Sequence, residues 1–156
     1  MRSMSKSKST KTTKTPKASS PAAQRRMQAT RQRDTACEIN LRSALRELGL
    51  RYRVDWKLPD TRRRADVAFP SVKVAVMVDG CFWHACPLHG SWPKKNARWW
   101  REKILANRKR DRDTDSCLAA QGWRVLRLWE HEHSSKAARK IHATLCGRRR
   151  SLASKT

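Results

Sequence analysis

The segment Cys81-Phe-Trp-His84-Ala-Cys86-Pro-Leu-His89 concentrates chemistry. Zinc takes four thiolate or imidazole ligands at the corners of a tetrahedron, and short loops supply such sets. Cys81, Cys86 and His89 provide three. The fourth would be His131 or His133, which follow a strand ending at Trp129. The plainer alternative is two buried thiols beside surface histidines. His84 shares the loop without being an obligatory ligand. Carboxylates form a second set. Asp66 lies in a short strand, Asp79 ends the next strand, and Glu38 lies in the first turn of a helix. Acids so placed are suited to holding Mg²⁺ at a phosphodiester. Against that, Glu38 is explained as a cap residue, and Asp66 has Arg62 to Arg64 as neighbours for an ion pair. Aromatics form a third set. Phe82 and Trp83 sit on the loop, and Trp99 and Trp100 open the helix beyond it. Aromatic faces among Arg and Lys suit stacking on nucleic-acid bases or packing in a core; Trp56, Trp123 and Trp129 read as strand-core residues.

The elements that must position these groups follow from periodicity. Thr35-Ala-Cys-Glu38 reads as a capping box. Leu41, Ala44, Leu45 and Leu48 continue at helical spacing to Gly49, which predicts a helix over 36–48. Leu50, Tyr52, Val54 and Trp56 alternate with polar residues and predict a half-buried strand. Ala65 to Phe69 predict a short strand closed by Pro70. Val72 to Val78 are nearly all apolar and β-branched, the composition of a strand covered on both faces. Residues 81–93 predict a rigid loop. A long helix is expected over about 96–121, with Trp100, Ile104, Asp111, Asp115 and Leu118 near one stripe. Trp123 to Trp129 predict another strand, and Ser134 caps a last helix through about Leu145. The expected domain is one mixed α/β unit over 25–147.

The chain has 156 residues, with 37 Lys and Arg against 13 Asp and Glu, a net charge of +24. That balance points to a polyanion, nucleic acid first. No run approaches the roughly 20 apolar residues of a membrane span, and the first 20 residues lack the apolar stretch of a secretory signal. Residues 1–33 hold ten basic residues and no acid, leaving 27 basic residues with all 13 acids in the remainder. Residues 1–24 read as a disordered basic tail, either a solubilising arm or an electrostatic tether. Residues 148–156 read as a basic C-terminal tail. Five cysteines, an odd number without an export signal, argue against a disulfide framework.

The string from Val78 through His84 and His89 to Pro93 resembles the very short patch repair (VSR) DNA mismatch endonucleases. So do Thr30-Arg31, Arg33 to Glu38, Trp99 to Ile104, Asn107 to Arg112 and Gly122 to Glu130, in order and at similar spacing. The likeness runs from about Met27 to Glu132. It implies a restriction-endonuclease-like core: a central mixed sheet flanked by helices, with a structural zinc site. It implies a Mg²⁺-dependent nick in double-stranded DNA, 5′ to the T of a T:G mismatch left by deamination of 5-methylcytosine. It implies metal binding by Asp66 and by the Val78 main-chain carbonyl, with Glu38 near the metal. It implies His84 as general base and Asp111 as its orienting carboxylate. Cys81, Cys86, His89 and His131 match the zinc set, and Met27, Phe82, Trp83 and Trp100 the residues that enter DNA beside the mismatch. A monomer in the bacterial cytoplasm, at the nucleoid and in company with mismatch-repair proteins, is the corresponding expectation.

Two departures stand out. Some members carry histidine where this chain has Asp79, which here either joins the metal site or holds the loop. Their zinc ligands are also spaced differently, which leaves His131 and His133 both open. No (Asp/Glu)-x-Lys triplet follows Asp66, consistent with a histidine base. Two alternatives keep part of the pattern: a zinc-stabilised basic nucleic-acid-binding module without catalysis, and a related nuclease with another lesion preference.

Overall fold

The computed structural model describes residues 34–154, together with residues 21, 22 and 25. Met27 and most of the basic N-terminal segment lie outside the described residues. Helix α1 spans Ala36–Glu47. Strands β1 (Arg53–Lys57), β2 (Arg64–Phe69) and β3 (Val74–Asp79) follow. Then come helix α2 (Ala97–Ala120), strand β4 (Arg124–Trp129) and helix α3 (Ser134–Ala153). The sheet order is β1-β2-β3-β4, antiparallel except for the parallel β3–β4 pair. The described residues thus form an α/β domain of one mixed sheet and three helices.

Strand alternation distributes the core. Val74 and Val76 of β3 with Leu126 and Leu128 of β4 pack under α1 and α3, where Leu41, Leu45, Ile141 and Leu145 are buried. Ala75 and Met77 lie in a second cluster with Leu118 of α2 and the flanking Trp56, Trp123 and Val125. Helices therefore cover both faces of β3, and its apolar run follows from that. The parallel register pairs Met77 with Arg127 and Asp79 with Trp129. Arg127, two residues beyond Val125, points to the α2 side.

The structure departs from the sequence reading in five places, the first being that His133, not Ser134, is the N-cap of α3. Val54 is 43% exposed, so the alternation from Leu50 to Trp56 marks an edge strand. β3 begins at Val74, because Pro70–Val72 form a 3-10 turn closed by Lys73 at φ 52°. Glu38 caps α1 differently from a capping box: its carboxylate accepts the Thr35 hydroxyl at 2.9 Å and the Asp34 N–H at 3.0 Å. Helix α3 runs past Gly147 to Ala153. Arg148 holds that extension by donating to the main-chain carbonyls of Val72 and Gly122.

Candidate nuclease centre and metal site

Two sites meet at the loop after β3. The loop turns back on itself, with Cys86 N–H donating to the Cys81 carbonyl at 2.9 Å and Gly90 N–H to the Cys86 carbonyl at 2.8 Å. Ala85 adopts φ 51°, a left-handed conformation that a non-glycine residue adopts at a cost. A Cβ at Gly90 would collide with the Cys86 carbonyl. The fold brings the loop against the end of β4, where Glu130 accepts the Cys81 N–H at 2.7 Å.

There the ligand atoms of Cys81, Cys86, His89 and His131 all lie within 4.8 Å of one another. His131 Nδ1 is 3.1 Å from Cys81 Sγ and 3.9 Å from Cys86 Sγ. Zn–S and Zn–N bonds of about 2.3 and 2.1 Å place tetrahedral ligands about 3.6 Å apart, so this donor set fits zinc. His133 precedes α3 instead, with Nδ1 3.0 Å from the Ser135 hydroxyl. Burial pushes the Cys81 thiol up to about 11, reinforced by Cys86. Burial works the same way on Cys86, but backbone N–H groups of His89, Leu88 and Gly90 outweigh it and lower that thiol. Cys86 is thus the more acidic thiol of the pair.

The second site gathers carboxylates from α1, β2, β3 and α2. Asp66 accepts the Val78 N–H at 2.7 Å. Burial pushes its carboxyl up to about 6; the Val78 N–H opposes this, while the charges of Glu38 and Asp79 add to it. Burial and the neighbouring negative charges disfavour the charged Asp66 carboxylate, and a divalent cation bound there would offset that cost. Glu38 is itself held by Arg42 Nη2 at 3.2 Å.

His84 Nδ1 lies 2.6 Å from Asp111 Oδ2 on α2 and 3.7 Å from Asp79 Oδ1. With Nδ1–H donating to Asp111, Nε2 keeps its lone pair and is able to accept a proton. Asp79 has a cation of its own: Arg127 Nη1 donates to its two oxygens at 2.8 and 3.1 Å. Burial pushes the Asp79 carboxyl up, and the charges of Arg127 and His84 offset only part of that rise. The rest of the Arg127 fork engages Asp115 at 2.9 and 3.0 Å, and Nη2 approaches Asp111 Oδ1 at 3.5 Å. Burial works against the Arg127 charge, and Asp115, Asp79 and Asp111 outweigh it, so its pKa is raised.

The aromatics form one half-buried cluster. Phe82 meets Trp83 and Trp100 edge-on, both at 5.2 Å between centroids, and Trp83 and Trp100 are 5.9 Å apart. Trp99 backs Trp100 at 4.8 Å. Asn107 ties the cluster to α2 by donating to the Trp83 carbonyl at 3.2 Å. The sequence reading missed Arg127, Glu130, Arg42 and Asn107. For Arg127 a signal existed: Asp111 and Asp115 share the stripe that α2 turns inward, and two acids there call for a cation.

The family model described as DNA mismatch endonuclease Vsr matches residues 19–89. The type II nicking enzyme V.NaeI of Lentzea aerocolonigenes is 46% identical over 124 residues, 78% of this chain and 75% of its own. The chain belongs to the Vsr family. V.XorIIP of Xanthomonas oryzae, also a type II nicking enzyme, is 42% identical over 115 residues, 72% of this chain and 82% of its own. The Escherichia coli DNA mismatch endonuclease Vsr is 41% identical over 107 residues, covering 67% and 66%. As a Vsr-family member the chain is a DNA endonuclease, a hydrolase of phosphodiester bonds. Among the described residues no helix is long and apolar enough to cross a membrane.

Proposed function

We propose that this Vsr-family chain nicks double-stranded DNA 5′ to the T of a T:G mismatch, the product of 5-methylcytosine deamination, in very short patch repair. The observation that carries the reading is the 2.6 Å contact of His84 Nδ1 with Asp111, which leaves Nε2 as the nitrogen able to act as a base. His84 takes a proton from the attacking water, and Asp111 keeps the ring in the tautomer and orientation for that transfer. Asp66 and the Val78 main-chain carbonyl would hold magnesium, with Glu38 close by, and the bound ion would supply polarisation of the scissile phosphate and compensation of the charge developing there. We leave Asp79 out of the magnesium set, because Arg127 already engages its oxygens.

Cys81, Cys86, His89 and His131 would hold a structural zinc, which would join the His84 loop to the segment after β4. The core is of the restriction-endonuclease type. Phe82, Trp83 and Trp100 enter the base stack beside the mismatch, with Met27 approaching from the opposite groove. A mispaired step costs less to open than a Watson–Crick step, so the opening energy itself discriminates. The basic N-terminal segment tethers the duplex, and the enzyme works as a monomer on DNA in the cytoplasm.

A second reading keeps the residues and changes the substrate preference. It is favoured by the names of two relatives of high identity, both called type II nicking enzymes. A panel of duplexes carrying each mismatch in several flanking sequences, with the cut strand scored in Mg²⁺ and in EDTA, separates the two. Cutting confined to the T strand of T:G supports the first. Cutting of another mismatch, or cutting set by the flanking sequence, supports the second.

A further inference from the structure

Two carboxylates compete for one imidazole N–H in this centre. His84 Nδ1 is 2.6 Å from Asp111 and 3.7 Å from Asp79, and Asp79 is only 7% exposed. An unpaired buried carboxylate takes the nearest donor available. For Asp79 that would be His84, unless another group satisfies it first. Arg127 does so, and the same guanidinium contacts Asp111 and Asp115.

We propose that Arg127 is a positioning residue for His84: by occupying Asp79 and bracing Asp111, it decides which carboxylate holds the ring. This rests on His84 being the base. The planar fork suits the task, since its nitrogens meet carboxylates on three sides with fixed geometry. Without it the ring turns from α2 toward the end of β3, and Nε2 leaves the position from which it accepts the proton. The pairing also accounts for aspartate at the end of β3: Asp79 and Arg127 on β4 form a matched pair across the parallel register, two positions apart.

The test uses the full zinc-loaded chain. Arg127→Met should lower kcat on T:G duplex about 10- to 100-fold, the scale of a misplaced reacting group, with KM nearly unchanged. Arg127→Met combined with Asp79→Asn should recover most of that loss, because an amide does not compete as a charged acceptor. NMR of ¹⁵N-histidine-labelled protein supplies a readout independent of cutting. The low-field His84 Nδ1–H proton, assigned by its disappearance in His84→Ala, should shift in Arg127→Met and return in the double variant. Arg127→Lys, which keeps the charge and loses the fork, covers the case in which Arg127→Met does not fold; it should lower kcat and shift the same resonance. An unchanged resonance in folded Arg127 variants overturns the proposal. So does a double variant that folds yet cuts no better than Arg127→Met. Normal nicking by His84→Ala would refute the base assignment instead, while the resonance still reports on the positioning.

Discussion

Replacing Asp66 by asparagine should stabilise the magnesium-free protein at neutral pH while removing nicking. Burial raises the Asp66 carboxyl from 3.8 to about 6 in the folded chain. The native state therefore binds this proton more tightly than the unfolded chain does. The stability tied to it is fully present below pH 3.8 and is lost as pH rises through about 6. Each pH unit between those values is worth about 1.36 kcal/mol, so holding the charge costs about 3 kcal/mol above pH 6. Asparagine keeps an oxygen for the Val78 N–H and carries no charge. Asp66→Asn should thus be more stable than wild type at pH 7 by about 1–3 kcal/mol, a rise of several degrees in Tm for a chain of this size. The two proteins should converge near pH 4. Added Mg²⁺ should stabilise wild type and leave the variant unmoved. Thermal unfolding from pH 4 to 8 in magnesium-free buffer measures all of this. A variant less stable than wild type at pH 7, or one with the same pH slope, refutes the reasoning.

Cys81→Ser or Cys86→Ser should abolish stoichiometric zinc and sharply lower stability, since structural zinc contributes folding free energy directly; elemental analysis of purified wild type without zinc would remove the claim. Trp83→Ala and Trp100→Ala should each lower kcat/KM on T:G duplex about 10- to 100-fold, from stacking worth roughly 1–3 kcal/mol per base. Binding to matched duplex should change far less. A fluorescent base analogue beside the mismatch should brighten with wild type only, and normal brightening with the variants would make these tryptophans packing residues.

The site was legible where chemistry clusters along the chain and obscure where it is assembled across strands. Cys81, Cys86 and His89 stand close in sequence, so spacing alone gathered them. The choice between His131 and His133 was not local. It depends on where β4 ends, on the turn that follows, and on His133 flanking the next helix. Arg127 was hidden for a similar reason. In Trp123-Arg-Val-Leu-Arg-Leu-Trp129 alternation sets Arg127 on the face of Trp123, Val125 and Trp129, opposite the exposed Arg124, but does not say what covers that face. Only α2, laid over that face with Asp111 and Asp115, makes Arg127 interior. For the fold, the β-branched run predicted β3 well because burial on both faces leaves one composition. The end of α3 was misjudged because Gly147 looks like a stop, whereas Arg148 finds acceptors on two distant segments.

The central claim is that His84 activates water for a nick directed by a T:G mismatch. Its most direct test is single-turnover cutting of an end-labelled duplex with one T:G step, in Mg²⁺, by wild type and by His84→Ala. The account predicts one nick, 5′ to the T, by wild type, with the paired T:A duplex intact. Loss of a general base should slow His84→Ala about 10²- to 10⁴-fold, with fold, zinc content and duplex affinity retained. Equal cutting of the T:A duplex, or a His84→Ala variant that nicks at the wild-type rate, would contradict it.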